Sequence, residues 1–210
     1  MFAAPGRRAG GSGYTERMAI RQPRTRERLR LRPVSIDMPP EGLTVDDWFA
    51  LPDDGYQYEL YEGVLVLMSA PSRIHQDIVV ALLARLYSLA TATGAYASVG
   101  PLGVVLSQKL GFLPDVVYVT PLRRAILSLR GIEEAPDIVV EVLSPSTKSF
   151  DRNSKLRAYL GAGVREVWLV DSQARVSTIW FAPNESATAA FGEHLPSRIA
   201  DIGDGGLAAF

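Results

Sequence analysis

Apolar residues recur along this chain with two different periods, and the switches between them predict its elements. Before Leu43 there is no period at all: Gly, Pro and Arg dominate residues 1–40, and a stretch such as GRRAGGSG has nothing to bury. That region is expected to be a disordered tail ahead of one domain over 41–210. Thr44 followed three residues later by Asp47 predicts a capping box and a short helix ending near Leu51. Tyr56–Glu62 alternates, and Gly63 permits a sharp turn into an apolar strand, Val64–Met68. Ser72 opens a long helix in which Ile74, Ile78, Leu82, Arg85, Leu86 and Leu89 recur at helical spacing, and Gly94 closes it.

Short β-like runs follow at Ala95–Val99, Gly103–Ser107 and Pro114–Val119, and Ile138–Leu143 is so continuously apolar that a central strand is expected. Pro121–Arg130 is ambiguous, with a helical turn as one reading. Asp151 is expected to cap a helix running to about Leu160, which Gly161-Ala162-Gly163 stops. Glu166–Val170 and Arg175–Phe181 read as a hairpin, and beyond Ala182 the pattern weakens. The succession predicts an α/β fold, a mixed β-sheet flanked by helices, without internal repeats.

Composition narrows the chemistry. At 47% hydrophobic and 21% charged, 210 residues suffice to build one core. Cysteine is absent, which excludes disulfides, thiolate metal sites and cysteine nucleophiles. Two histidines, His75 and His194, leave almost no material for a multi-histidine metal site or a Ser-His triad. The longest apolar run, Val79–Ala90, is broken by Arg85 and too short for a bilayer, and the amino-terminal residues lack the apolar segment of a secretory signal. A soluble, cytoplasmic protein with no membrane partner is expected. The formal net charge of −1 conceals a division, +6 over residues 1–40 and −7 over 41–210. The basic tail is either a phosphate-gripping arm or leader sequence upstream of a start at Met18 or Met38.

Three acidic residues sit where a strand should be apolar: Glu59 in YQYELYEG, Asp115 in LPDVVYV and Glu141 in DIVVEVL. By the period of two, Glu141 shares a face with Asp137, Val139 and Leu143. A buried carboxylate needs a cation, a donor or a metal, and carboxylates converging from strands are the usual oxygen ligands of a hard divalent ion. Plainer readings exist: Asp115 as a strand cap, Glu59 as an exposed edge residue. Lys155, on the helix after the Glu141 strand, could reach back to that carboxylate or form an ordinary ion pair with Asp151. Tyr159 and Trp168 read as core aromatics.

A Pro-Asp on one strand, an acid on the next and a lysine close behind resembles the PD-(D/E)XK nuclease superfamily. The runs YELYEG, PSRIHQ, LPDVVYV, APDIVVEVLSPST, DRNSKLRAYLGAG and VREVWLVD, in order over residues 44 to 181, are similar to the Uma-two (Uma2) family of restriction-endonuclease-like proteins. The resemblance implies a restriction-endonuclease-like fold and puts the first acidic ligand at Glu59, the Pro-Asp aspartate at Asp115 and the second motif acid at Glu141. The superfamily lysine, two residues after that acid, is replaced by Leu143; the resemblance moves it to Lys155. His75 matches a position where the family often has histidine, and is either a site residue or a structural one.

The function expected is hydrolysis of phosphodiester bonds in DNA by a metal-dependent endonuclease. Asp115 and Glu141, with Glu59 in support, would hold Mg²⁺ (Mn²⁺ as a substitute), and Lys155 would orient water or stabilise the developing charge. The −7 body suits DNA poorly. Lys148, Arg152, Arg157 and the Arg123-Arg124 pair are the candidates for a basic rim, which a homodimer would extend. The rival from another class is an inactive nuclease-fold accessory or nucleic-acid-binding protein. A serine hydrolase built on Ser144 or Ser146 is the weakest alternative.

Overall fold

The structure, a computed structural model, describes residues 39–144 and 151–210. All but the last two residues of the expected tail, and Ser146 and Lys148 with it, lie outside the described residues.

Local signals decide the first half. Helix α1 is Val45–Phe49, closed at its start by the Thr44–Asp47 capping box: the Asp47 carboxylate accepts from the Thr44 N–H at 2.8 Å, and the Thr44 hydroxyl from the Asp47 N–H at 3.3 Å. Strands β1 (Tyr58–Tyr61) and β2 (Val64–Leu67) form a hairpin whose turn residues, Glu62 and Gly63, both have positive φ. Helix α2 is Arg73–Thr93, capped by Ser72 and ended by Gly94 in the left-handed conformation. Strands β3 (Tyr96–Val99), β4 (Val104–Ser107), β5 (Leu110–Phe112) and β6 (Val116–Val119) follow. Pro121–Ile126 is a 3₁₀ helix, which resolves the ambiguous segment as a helical turn.

In the second half, β7 (Ile138–Val142) is wholly buried and interior to its sheet, as its apolar run predicts. Asp151–Lys155 is a π-helical turn leading into α3, Leu156–Gly161. The single helix expected from Asp151 to Leu160 is therefore two kinds of helix in series. Strands β8 (Glu166–Asp171), β9 (Val176–Ala182) and β10 (Glu185–Ala190) complete the set.

The fold is mixed α/β, with its strands divided between two sheets. A smaller antiparallel sheet has the order β2-β1-β5-β4, and a six-stranded sheet the order β10-β9-β8-β7-β6-β3. Within the larger one only β7 and β8 run parallel. Parallel neighbours need a crossover connection, and this one carries the π turn and α3 across one face of the sheet. On that face Val139, Leu143, Val167 and Leu169 pack with Leu156 and Tyr159 and with Phe112 of the smaller sheet. On the other face α2 buries Ile78, Val79, Leu82 and Leu86 against Val116, Val140, Val142 and Trp168.

Helix α1 packs on the smaller sheet. Trp48 donates to the Tyr58 carbonyl at 2.7 Å and its ring packs on Gly111 of β5. A β-carbon at Gly111 would come within 2.6 Å of the Trp48 ring, so this strand position accepts only glycine.

Candidate active site

The register of the two central strands builds the site. Val116 pairs with Val140 and Val117 with Val139, so continuing the ladder one residue sets Asp115 opposite Glu141 on one face. Cross-strand neighbours of like charge repel, and each of these carboxylates is held through one oxygen by two contacts. Asp115 Oδ2 accepts from the Val142 N–H at 2.7 Å and lies 3.2 Å from His75 Nε2. Glu141 Oε1 lies 2.7 Å from Lys155 Nζ and accepts from the Tyr159 hydroxyl at 2.7 Å. Asp115 Oδ1 and Glu141 Oε2 take no part in these contacts, and both residues line the adjacent cavity, about 300 Å³ in volume, with His75, Asp151, Gln57, Gln76, Ser144 and apolar walls that include Val99 and Leu113.

Lys155 is the charge at the centre. Its side chain is 1% exposed, and its ammonium lies 2.9 Å from Glu59 Oε1, 2.7 Å from Glu141 Oε1 and 3.7 Å from Asp151 Oδ1. Glu59 comes from β1 in the smaller sheet and is fully buried; its Oε1 also accepts from the Leu113 N–H at 2.9 Å, while Oε2 is buried with no hydrogen-bond partner. The Phe112 ring closes over the ammonium at 5.4 Å.

Burial alone would strip Lys155 of its proton, but Glu141, Glu59 and Asp151 outweigh it and hold its pKa above the ordinary lysine value. Glu141 moves the other way for an acid. Burial, then the charges of Asp115, Asp151 and Glu59, push its carboxyl well above the usual range despite the opposing pull of Lys155. Burial, then the charges of Glu141, Glu59 and Asp151, push the Tyr159 hydroxyl well up, which keeps it a donor. Burial disfavours the charged His75 ring, yet Asp115, the Val142 main chain and the more distant Asp151 outweigh it and raise its pKa. His75 sits in the first turn of α2, where Ser72 accepts its backbone N–H at 3.2 Å; its Nδ1 is buried without a partner.

All five residues singled out in the sequence thus come together: Asp115, Glu141 and His75 on the cavity, Lys155 and Glu59 behind it. Sequence reasoning missed four contributors. Asp151, read as a helix cap, borders the cavity. Tyr159, read as a core aromatic, bonds Glu141, and its spacing of four from Lys155 on a helix was the available signal. The Leu113 and Val142 N–H groups are main chain and leave no trace in residue type. The basic rim is not assembled from the Arg123-Arg124 pair. Arg123 binds the Ala135 carbonyl at 2.7 Å and Asp137 at 3.5 Å, and Arg124 binds the carbonyls of Gly94 and Ala95 at the end of α2. Arg152 pairs with Asp171 at 2.8 Å.

The family model described as "putative restriction endonuclease", Uma2, matches residues 45–199. The chain belongs to the Uma2 family. A crystal structure described as a putative nuclease belonging to DUF820, from Anabaena variabilis, superposes with a TM-score of 0.67 at 19% identity, over 80% of this chain and 98% of that one. No curated protein matches the chain. The fold of the chain is thus also found in a solved structure, and the stretch matched by the family model contains every site residue named above.

Nucleases of this kind use divalent metals. Among the described residues no group of three or more His, Asp or Glu could by itself hold an ion. Two carboxylates on one cavity, each with an oxygen outside those contacts, and an orphaned carboxylate oxygen on Glu59 behind them, nevertheless fit a hard cation of the Mg²⁺ type. Such an ion usually takes one or two carboxylates and completes its shell with water and substrate phosphate.

Proposed function

We propose that this Uma2 protein is an endonuclease that hydrolyses phosphodiester bonds in DNA with Mg²⁺, or Mn²⁺ in its place, held by Asp115 and Glu141 with Glu59 in support. The observation that carries the reading is the Asp115–Glu141 pair: two carboxylates facing each other across central strands, each tied back through one oxygen, at the mouth of one cavity. A bound divalent cation supplies Lewis-acid neutralisation of phosphate charge and acidifies water.

The chain's own residues do the rest. Asp115 and Glu141 present hard oxygens; the Val142 N–H and His75 hold the first of them, Lys155 and Tyr159 the second. Lys155 keeps a full positive charge inside the cluster. There it offsets carboxylate repulsion and favours the negative charge that builds on the phosphate as the bond breaks. His75 lies on the cavity beside Asp115, where its ring can meet a substrate oxygen. Two copies acting together would cut both strands, which makes a homodimer the expected working form. Among the described residues no helix is long and apolar enough to cross a membrane, and a cytoplasmic site of action goes with a DNA substrate.

Plasmid DNA incubated with the full chain and Mg²⁺ or Mn²⁺ is expected to be nicked and linearised, with loss of cleavage in chelator and in Glu141→Ala. Cleavage by Glu141→Ala at the parent rate sinks the assignment. One observation favours a second reading, a nuclease-fold protein that binds nucleic acid without cutting it: Lys155 already neutralises part of the cluster from within. Retained DNA binding with neither Mn²⁺ binding nor cleavage would select it.

A further inference from the structure

Tyr159 is fully buried, and its ring meets Phe112 edge-on at 5.1 Å between centroids. Packing of that kind is served as well by phenylalanine; a buried phenol hydroxyl is kept for a partner. Here the partner is Glu141 Oε1, at 2.7 Å. Lys155, one turn earlier, puts its ammonium on the same oxygen at 2.7 Å.

The two donors are not equivalent. The Lys155 ammonium is shared, since it also lies 2.9 Å from Glu59 Oε1 and 3.7 Å from Asp151, and on its flexible stem it can slide among these carboxylates. The Tyr159 hydroxyl is carried on a rigid ring clamped between Phe112 and the sheet, and Glu141 is its acceptor. The last torsion of a glutamate is broad and nearly two-fold, so its oxygens exchange readily unless something distinguishes them. A fixed donor on Oε1 makes that distinction and leaves Oε2 toward the cavity.

Resting on the metal-dependent reading above, we propose that Tyr159 is a positioning residue for Glu141: its hydroxyl holds Oε1 and thereby sets Oε2 in place as the cavity-facing ligand for a divalent cation. Partners of this outer kind typically contribute 10–100-fold to metal affinity.

The test is Mn²⁺ titration of the chelator-stripped full chain, followed by electron paramagnetic resonance of free Mn²⁺ and by calorimetry, for the parent, Tyr159→Phe and Val167→Ala. Tyr159→Phe keeps the ring and loses one oxygen; its Kd for Mn²⁺ is expected to rise about tenfold. Val167→Ala loosens the apolar layer that Tyr159 packs in without touching a donor, a carboxylate or the ammonium, and its Kd should stay near that of the parent. In the parent, Mn²⁺ binding should perturb the tyrosine ultraviolet absorption as the acceptor of the phenol changes its charge, a readout independent of how either variant folds. An unchanged Kd in Tyr159→Phe, an equal loss in Val167→Ala, or no tyrosine perturbation in a parent that binds Mn²⁺ overturns the role of Tyr159 alone. A parent that binds no Mn²⁺ overturns the metal-dependent reading together with it.

Discussion

Asp137, just ahead of β7, and Glu141, near the far end of it, lie four residues apart, and both are buried. Their surroundings are opposite. Asp137 accepts from the Thr120 N–H at 2.7 Å, the Thr120 hydroxyl at 2.9 Å and Arg165 at 2.9 Å, with Arg123 at 3.5 Å. Burial opposes its ionisation, but the Thr120 N–H, Arg165 and the Thr120 hydroxyl outweigh it and lower its pKa. Glu141 has one ammonium to share with Glu59 and Asp151, faces Asp115 across the strands, and its pKa is raised. Burial of an acid on an apolar strand therefore does not mark a site. What separates the two is the supply of donors: Asp137 has more positive charge around it than it needs, and Glu141 has too little and an oxygen left over. The first arrangement stabilises a fold, and the second stores an unmet demand for a cation.

Substitution at each position should separate these roles cleanly. Glu141→Gln is expected to reduce cleavage at least ~100-fold, as removal of a transition-state contact does. In chelator it should melt no lower than the parent, because it removes a charge crowded by like charges. A large drop in melting temperature would put Glu141 in the same structural class as Asp137. Asp137→Asn should do the reverse, losing about 2–3 kcal/mol in urea unfolding because the two arginines lose their counter-charge and one of the two accepting oxygens becomes an amide donor, while the folded fraction cleaves at the parent rate.

The sign of the pH effect follows from the lowered pKa of Asp137. A lowered acid contributes stability above its unfolded pKa of about 3.9 and loses it as pH falls through the lower folded value. The gap between parent and Asp137→Asn should be full at neutral pH and shrink below about pH 4, measured by urea midpoints across that range. Arg165→Ala marks the small end of the scale. That side chain is 55% exposed, so its loss should cost only about 0.5–1 kcal/mol, with Arg123 and Thr120 still in place.

Much of this was legible in the sequence, and for local reasons. Thr44, Ser72 and Gly94 act on their own helices, and the residues that cap them are their neighbours. Glu59, Asp115 and Glu141 stood out because charge on an apolar strand is unfavourable wherever the strand ends up. Strand β5 escaped because Gly111 is a poor strand residue; it is there to let Trp48 lie on the backbone, a contact between distant parts of the chain. Strand β10, rich in Ser, Ala and Thr, carries too little apolar pattern to be seen, and it forms by pairing along the edge of β9. The π turn at Asp151–Lys155 and the hydroxyl of Tyr159 owe their places to the crossover between parallel strands, which no window of sequence contains.

Glu59 reaches Lys155 from the smaller sheet, whereas Asp115 and Glu141 belong to the larger one. The site is therefore a seam, and its assembly reports whether the two sheets are closed on each other. If the smaller sheet opens locally, Lys155 loses Glu59 and the cover of Phe112 while β7 stays paired with both neighbours. Hydrolysis would then stop in molecules that circular dichroism still counts as folded. The temperature at which activity vanishes should lie below that at which the six-stranded sheet melts, and the interval between them measures how firmly Glu59 and Phe112 hold the smaller sheet to Lys155 and Tyr159.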